Sequence, residues 1–347
     1  MTARSSRRCR WVSTRPLVVS AATVASATAV VAVSRRETVR EELRRLRRFL
    51  RPLRERLPQP PVPPSLPAGT VVDLRGRGEV FVRDSGPPVG ASGTSQLPPV
   101  LLLHGWTVTA DINFFAAYGP LAERYRVLAM DHRGHGRGMR STEDFSLEDC
   151  ADDAAALLRG LGIDRAIVVG YSMGGPIAVL LAHRHPGVVA GLVVQATALE
   201  WRASARERRF WRVLPVLDAA LRLGTGEGFV VRFLRQVAEE QPNFEAFEPW
   251  LTGEFRRGYT PDIVGAGRAL SRYDARSFVA SLGVIAVSVV TTRDRLVRPF
   301  KQRRLATALD APVIELQADH DAPLSCSAAY AKVTREAVDG VAERLRA

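Results

Sequence analysis

Cysteine is scarce in this sequence, which has only Cys9, Cys150 and Cys326 among 347 residues. They are odd in number and far apart, and no two of them form a CxxC pair, so neither a disulfide framework nor a zinc site is expected. We interpret each as a small apolar side chain. A metal-ligand cluster, a dinucleotide fingerprint and internal repeats are also missing, so the sequence predicts no metal and no cofactor.

Acidic residues are too few to balance the basic ones, but the imbalance is local. The formal net charge is +13. Residues 1–58 hold fifteen arginines and four glutamates, a net charge of +11, which leaves +2 for the other 289 residues. Because the rest of the chain is nearly neutral, we do not expect it to bind nucleic acid.

An uncharged run of 18 residues, 16–33, lies between arginines. As a helix it would span roughly 27 Å, slightly less than the ~30 Å hydrocarbon core of a bilayer. It fits a membrane anchor, but two small-residue patterns around Ala27 also fit cleavage of a signal peptide and export. A disordered leader is the third interpretation.

A basic amphipathic helix is predicted at 35–51. Ser34 and Glu37 form a capping box, and four apolar residues then recur on one helical face among many arginines. Such a helix suits an anionic lipid surface, although a solvated charged helix or a short dimer coil fits equally. We therefore expect a membrane-associated extension at 1–57, followed by a proline-rich linker at 58–68.

From residue 69 to 347 the sequence alternates between strand-like and helix-like segments. A hairpin is predicted at 70–74 and 79–83, followed by short apolar runs at 100–104, 126–131, 165–169 and 189–195. Helical patterns intervene at 114–124, 147–161 and 173–185. This alternation indicates an α/β fold with a doubly wound, mostly parallel sheet.

One motif of this domain carries chemistry. Gly170-Tyr171-Ser172-Met173-Gly174 directly follows an apolar strand and directly precedes a helix rich in alanine and leucine. A nucleophile on such a sharp strand-to-helix turn needs glycine on both sides to avoid clashes. The motif alone is a weak signal, but its context favours a nucleophilic serine over an ordinary βα turn.

Together with two further motifs, this sequence resembles the α/β-hydrolase fold superfamily, in its serine esterase and lipase-like branch with a helical cap. Leu103-His104-Gly105-Trp106 and the run from Asp131 to Gly136, DHRGHG, each follow a predicted strand in the family's order. The resemblance implies an oxyanion hole formed by the backbone N–H groups of Trp106 and Met173, whose side chains are then free to line a substrate pocket. We interpret the DHRGHG turn as structural.

The same resemblance implies that an acid and then a histidine follow the serine. His183 and His185 lie within the helix after Ser172, so His320 is the candidate base. Two more strands are predicted after the insertion, and His320 follows the second of them. Asp294 ends the first and is the candidate acid, and Asp319 and Asp321 are its alternatives.

An insertion at about 198–275 is rich in tryptophan and phenylalanine. Its aromatic side chains fit either an apolar substrate pocket or the insertion's own core. We expect a serine hydrolase that cleaves esters of apolar acyl or alkyl groups, with a small lipophilic substrate. Thioester, lipid, carbon–carbon or perhydrolase chemistry, and a non-catalytic ligand-binding or membrane adaptor protein, stay open as alternatives.

Overall fold

The computed structural model describes residues 66–88, 97–141, 143–202, 204–212, 249–251, 253–254, 257 and 260–347. The predicted segments at 16–33 and 35–51, and most of the linker at 58–68, lie outside these residues. Within the described residues, no helix combines the length and the apolar character that crossing a membrane requires.

Eight strands and nine α-helices occur in the described part of the chain. The strands are β1 (Ala68–Leu74), β2 (Gly78–Asp84), β3 (Val100–Leu103), β4 (Val127–Met130), β5 (Ala166–Tyr171), β6 (Val189–Gln195), β7 (Ala286–Thr291) and β8 (Val313–Leu316). The helices are α1 (Ala110–Phe114), α2 (Tyr118–Ala122), α3 (Leu147–Gly160), α4 (Gly174–Arg184), α5 (Ala205–Arg212), α6 (Thr260–Arg272), α7 (Pro299–Ala308), α8 (Ala322–Ser325) and α9 (Ser327–Arg344).

The strands form one sheet in the order β1-β2-β4-β3-β5-β6-β7-β8. β1, β2 and β4 pair antiparallel, and every pairing from β4 through β8 is parallel. The prediction of a mostly parallel α/β sheet is therefore confirmed. Where one helix was predicted at 114–124, the structure has the two short helices α1 and α2, separated by a turn at 115–117.

Apolar side chains on both faces of the central strands form the core. β3 to β7 are buried along their whole length, and two apolar clusters cover the two faces of the sheet. Cys150 is buried in one of these clusters, as expected of an apolar filler. Because apolar side chains cover both faces of this sheet, mainly its carboxyl edge is free to carry catalytic or binding residues.

The insertion leaves the sheet after β6 and returns before β7. Its two ends lie side by side, because Glu200 and Asp274 form an isolated β-bridge and the N–H of Ala275 donates to the carbonyl of Leu199 at 2.9 Å. Between these ends the structure describes the helices α5 and α6 and a few residues near Trp250. Their contacts with the carboxyl edge are given below.

Candidate active site

Ser172 occupies a strained turn between β5 and α4. Its φ is +52°, in the left-handed region that a serine rarely adopts. A Cβ on Gly174 would lie 1.9 Å from the carbonyl oxygen of Leu103, and one on Gly170 would lie 2.3 Å from that of Gly174. Both positions therefore require glycine, because neighbouring backbone segments approach them closely. The resulting tight turn places the serine side chain at the carboxyl edge of the sheet.

The structure brings the three predicted catalytic side chains together. The hydroxyl of Ser172 donates to Nε2 of His320 at 2.9 Å, and Nδ1 of His320 lies 2.8 Å from Oδ2 of Asp294. An ionised Asp294 only accepts hydrogen bonds, so Nδ1 carries the proton and Nε2 is free to accept one from the serine. Ser172 and Asp294 are 6% and 3% exposed. This arrangement can activate a serine nucleophile; its catalytic role stays a prediction.

Asp294 is held by more than the histidine. Its Oδ1 accepts from the backbone N–H groups of Leu296 and Val297 at 2.9 and 2.7 Å, and its Oδ2 accepts from the hydroxyl of Thr291 at 2.8 Å. The side-chain amide of Gln302 also donates to Oδ2, at 3.1 Å. These donors fix the carboxylate toward the ring. Thr291 and Gln302 could not be predicted from the sequence, since neither belongs to a local motif.

The two alternative acids have other partners. Asp319 accepts from the backbone N–H groups of Arg295 and His320 and from the guanidinium of Arg295. Asp321 accepts from the hydroxyl of Ser325 at 3.0 Å. Asp319 therefore shapes the loop that presents His320, whose carbonyl also accepts from the hydroxyl of Tyr171 at 2.6 Å. The imidazole itself contacts Asp294.

The predicted oxyanion segment lies against the serine. A Cβ on Gly105 would lie 3.3 Å from Cβ of Ser172, and the N–H of Gly105 donates to the side-chain carbonyl of Asn113 at 2.6 Å. Trp106 follows directly, so its backbone N–H belongs to a peptide beside the nucleophile. Met173 is fully buried in the main apolar cluster, so a substrate could reach its side chain only if neighbouring side chains moved.

His104 clamps the peptide between Gly105 and Trp106. Its Nε2 accepts from the backbone N–H of His132 at 2.9 Å, which leaves the proton on Nδ1, and Nδ1 donates to the carbonyl of Gly105 at 2.7 Å. In a trans peptide the C=O and N–H point in opposite directions. By fixing the carbonyl of Gly105, the ring of His104 also fixes the direction of the N–H of Trp106.

Three histidine rings pack together at tilted angles near this segment. The ring of His104 lies 4.3 Å from that of His132 and 5.4 Å from that of His135, and none of the three is exposed. Burial lowers the pKa of His104 to about 4 and that of His135 to about 3, and it holds the pKa of His132 well below its usual value. The three rings are therefore neutral at pH 7. Both ring nitrogens of His132 lack a partner among the described residues.

The DHRGHG turn connects the oxyanion segment to the sheet and to the insertion. Asp131 accepts from the N–H of Ala110 at 2.9 Å and from the N–H of Arg137 at 2.9 Å. The guanidinium of Arg137 in turn lies 3.1 Å from Asp131, 2.9 Å from Asp111 and 3.0 Å from Glu254 of the insertion. Burial raises the pKa of both Asp131 and Glu254, and Arg137 opposes this rise.

Aromatic residues of the insertion pack near the oxyanion segment. The indole N–H of Trp106 donates to the carbonyl of Ile263 at 2.7 Å, and its ring lies 5.9 Å from that of Trp211. Trp201 and Trp211 are buried in the main cluster, and Trp250 packs on Ile112 and Leu251. The described tryptophans of the insertion thus take part in packing. Phe229, Phe233, Phe244, Phe247 and Phe255 lie outside the described residues.

The two histidines of the helix after Ser172 lie outside this cluster of side chains. His183 stacks on Phe278, and His185 lies 2.7 Å from Asp152. Among the residues that the structure places, no group of three or more histidines, cysteines and carboxylates could hold a metal ion.

Comparisons with known proteins agree with this fold. Residues 98–251 match a family model described as alpha/beta hydrolase fold. A non-heme chloroperoxidase of Streptomyces lividans is 36% identical over 132 residues, which cover 36% of this chain and 43% of that protein. A bifunctional esterase/perhydrolase of Acinetobacter calcoaceticus is 33% identical over 113 residues, covering 31% and 37%. Each match thus spans about two fifths of the relative's length.

A solved structure extends the likeness of fold to the whole domain. The enol-lactonase of Burkholderia xenovorans LB400 superposes with a TM-score of 0.66 over 78% of this chain and 100% of its own, at 22% identity. At that identity the likeness concerns the fold alone. Together with the match of residues 98–251 to the family model, it shows that the chain has the α/β-hydrolase fold.

Proposed function

We propose that this protein is a serine hydrolase that cleaves carboxylic esters of apolar acyl or alkyl groups. The hydrogen-bonded series Ser172–His320–Asp294 carries this proposal, because each contact has the direction that transfer of a proton from the serine requires. The strained turn and the adjacent oxyanion segment add to it.

The reaction would run in two steps. Oγ of Ser172 attacks the ester carbonyl while its proton moves to Nε2 of His320, and that proton then passes to the departing alcohol. Water next attacks the acyl-enzyme, giving a proton to His320 that returns to Ser172 as the acid leaves. Asp294 stabilises the imidazolium in both steps, and the N–H groups of Trp106 and Met173 would stabilise the oxyanion.

The apolar substrate class rests on the surroundings of Ser172. Trp106 is partly exposed beside the serine, and its ring packs at a tilt against that of Trp211, 5.9 Å away. Ser172 is only 6% exposed, so an ester would have to react in a largely closed site, where these indole rings favour an apolar group. Association with a membrane through residues 16–51 is a further proposal that rests on the sequence pattern alone.

Labelling with a fluorophosphonate probe tests the nucleophile. We expect the folded wild-type protein to be labelled, Ser172→Ala to be unlabelled and His320→Ala to be labelled far more slowly. Ser281→Ala, which changes an exposed serine away from the site, is the matched control and should be labelled like wild type. A folded wild-type protein that resists the probe would overturn the proposal and favour a non-catalytic ligand-binding protein.

Two carboxylate variants test the acid. Asp294→Asn should lower kcat by about 10⁴, the loss typical of a triad whose histidine has the wrong tautomer. Asp319→Asn removes a carboxylate that only shapes the loop, and we expect a much smaller loss. Equal losses in the two variants would contradict the assignment.

Perhydrolysis is a second candidate, favoured by the name of one relative above, the bifunctional esterase/perhydrolase. In that reaction hydrogen peroxide would replace water in attacking the same acyl-enzyme and would release a peracid. Assaying a short-chain ester with and without hydrogen peroxide, with peracid as the measured product, separates the two reactions.

A further inference from the structure

Large apolar side chains are exposed at the edge of the sheet that carries Ser172. Phe210, Leu296 and Phe300 are 45%, 51% and 55% exposed. The other two large apolar side chains that are exposed among the described residues, Val71 and Val313, belong to the outer strands β1 and β8.

The three exposed side chains belong to neighbouring segments. Leu296 follows Asp294 by two residues, and Phe300 is in the first turn of α7, so both lie at the carboxyl end of β7. Phe210 is on α5, one turn after Glu207. The ammonium of Lys301 lies 2.6 Å from the carboxylate of Glu207, which brings α5 against the start of α7. We call residues 200–212 and 293–304 the rim.

The rim concentrates the positive charge of the globular domain. Residues 200–212 have five arginines and two glutamates, a net charge of +3. Residues 293–304 have five arginines, one lysine and one aspartate, a net charge of +5. Since residues 59–347 as a whole carry only +2, the domain outside the rim carries −6. Nine arginines of the rim are exposed.

We propose that the rim docks on an anionic lipid surface. Exposed phenylalanine and leucine side chains can enter the acyl region while the surrounding arginines bind the phosphate groups. A nucleic acid would match the arginines but would leave Leu296 and Phe300 without an apolar partner. The chemistry and the charge therefore favour lipid.

This surface would bring the loop of the candidate acid to the membrane. Asp294 itself lies in the rim, two residues before Leu296, and it is linked through His320 to Ser172, so docking would bring lipid-phase esters close to the site. Delivery of such esters rests on the proposed function, whereas docking itself does not depend on catalysis.

Site-specific fluorescence tests docking in the full chain, whatever residues 1–58 do. The environment-sensitive fluorophore NBD is attached to Phe300→Cys in a Cys9→Ser, Cys326→Ser background. Vesicles of equal parts phosphatidylglycerol and phosphatidylcholine should shift its emission to the blue and protect it from iodide. The matched control is NBD on Val71→Cys, an exposed position on β1 that should stay accessible to iodide.

The outcomes decide between docking and its absence. Insertion at position 300 but not at 71, seen with anionic vesicles and lost with pure phosphatidylcholine or in 0.5 M NaCl, supports the proposal. An NBD group at 300 that stays as accessible to iodide as the one at 71 overturns it, even if the chain sediments with the vesicles through its N-terminal segment. Binding of a soluble protein or of duplex DNA at position 300 without insertion into vesicles would also overturn it.

A kinetic test connects docking to the substrate. The double variant Phe210→Ser, Phe300→Ser should lower the rate on an ester embedded in anionic vesicles at least tenfold, while the rate on a dissolved short-chain ester stays within twofold. Val71→Ser should change neither rate. Equal rates of the double variant and wild type on the embedded ester would overturn the proposal, and a failure of the proposed function would show separately as loss of fluorophosphonate labelling.

Discussion

His104 shows how one buried side chain can act on catalysis without touching the substrate. Its ring holds the carbonyl of Gly105 and thereby the direction of the N–H of Trp106, one of the two predicted oxyanion donors. Loss of a single oxyanion donor typically lowers kcat by about 10² to 10³. A donor that is still present but misaligned should therefore lower kcat by a smaller factor.

We therefore expect His104→Phe to lower kcat by about tenfold to a hundredfold with little change in KM. Binding of a boronic acid that mimics the tetrahedral intermediate should weaken in parallel, a readout that a general loss of stability would not move. His183→Phe replaces an exposed histidine that stacks on Phe278, and it should keep wild-type kinetics. An unchanged kcat in His104→Phe would show that the peptide is held without the ring.

His132 should make the stability of the protein depend on pH. It is fully buried with both ring nitrogens unpartnered among the described residues, and burial holds its pKa well below the ordinary value of about 6.5. Below pH 6.5 the unfolded chain therefore binds a proton that the folded chain does not. The free energy of unfolding then falls as the pH drops, by up to about 1.4 kcal/mol per pH unit for this one residue.

Replacing this ring by an apolar side chain should remove that dependence. We expect the free energy of unfolding of His132→Leu, measured with denaturant, to fall between pH 6 and pH 5 by about 1.2 kcal/mol less than that of wild type. Measurement at pH 8, where the wild-type ring is neutral in both states, gives the baseline difference. Parallel curves for the two proteins would mean that His132 keeps its proton when folded.

At the scale of elements, the turn between β5 and α4 depends on glycine. A Cβ on Gly174 would lie 1.9 Å from the carbonyl oxygen of Leu103 in β3, so β3 and α4 could not keep their spacing. We expect Gly174→Ala to be destabilised by more than about 3 kcal/mol or to fail to fold, and to react poorly with the probe.

A second glycine provides the matched control for this prediction. Gly160 ends α3, and nothing lies within 4 Å of the position that its Cβ would take. Gly160→Ala should fold normally and gain up to about 1 kcal/mol, since alanine favours the helix and restricts the unfolded chain. Thermal unfolding of both variants measures the difference, and similar stabilities would contradict the steric argument.

The elements that the sequence predicted best are those with a local pattern. The apolar runs of β3 to β6 were found within two residues at each end, because burial on both faces leaves an uninterrupted apolar segment. The strands of the hairpin β1–β2 were also found within two residues at each end. The serine motif predicted the turn after β5 for a similarly local reason. One helix was predicted where α1 and α2 occur, since the turn at 115–117 has neither glycine nor proline.

Contacts between distant segments could not be predicted in this way. Thr291 and Gln302 hold Asp294, and His132 holds His104, but each contact depends on how separate strands and helices are placed. The aromatic residues of the insertion left two interpretations open for the same reason. An aromatic-rich composition does not show which side chains are buried or what covers them, and Phe210 of the insertion is 45% exposed.

At the scale of the whole molecule, Arg137 connects parts of the chain that are far apart in sequence. Its guanidinium contacts Asp131 after β4, Asp111 in α1 and Glu254 in the insertion. Asp111 also pairs with Arg83 of β2 at 2.8 Å. The three carboxylates are no more than 4% exposed, so they depend on Arg137 and Arg83 for compensation of their charge, and Glu254 also pairs with Arg257 at 2.9 Å.

Removing Arg137 should therefore destabilise the fold in a pH-dependent way. We expect Arg137→Gln to lose about 3 to 5 kcal/mol at pH 7, the usual effect of leaving buried charge without its partner. Burial already raises the pKa of Asp131 and Glu254, and without Arg137 both should bind protons more readily, so the loss should shrink at pH 5. Arg335→Gln breaks an exposed ion pair with Glu123 and should change stability by less than about 1 kcal/mol at either pH. If denaturant unfolding gave Arg137→Gln the same loss at pH 5 and pH 7, the carboxylates would not be the reason for its instability. Lost packing of the arginine side chain against Phe81 would then explain the loss better, because the guanidinium lies 4.0 Å from the centre of that ring.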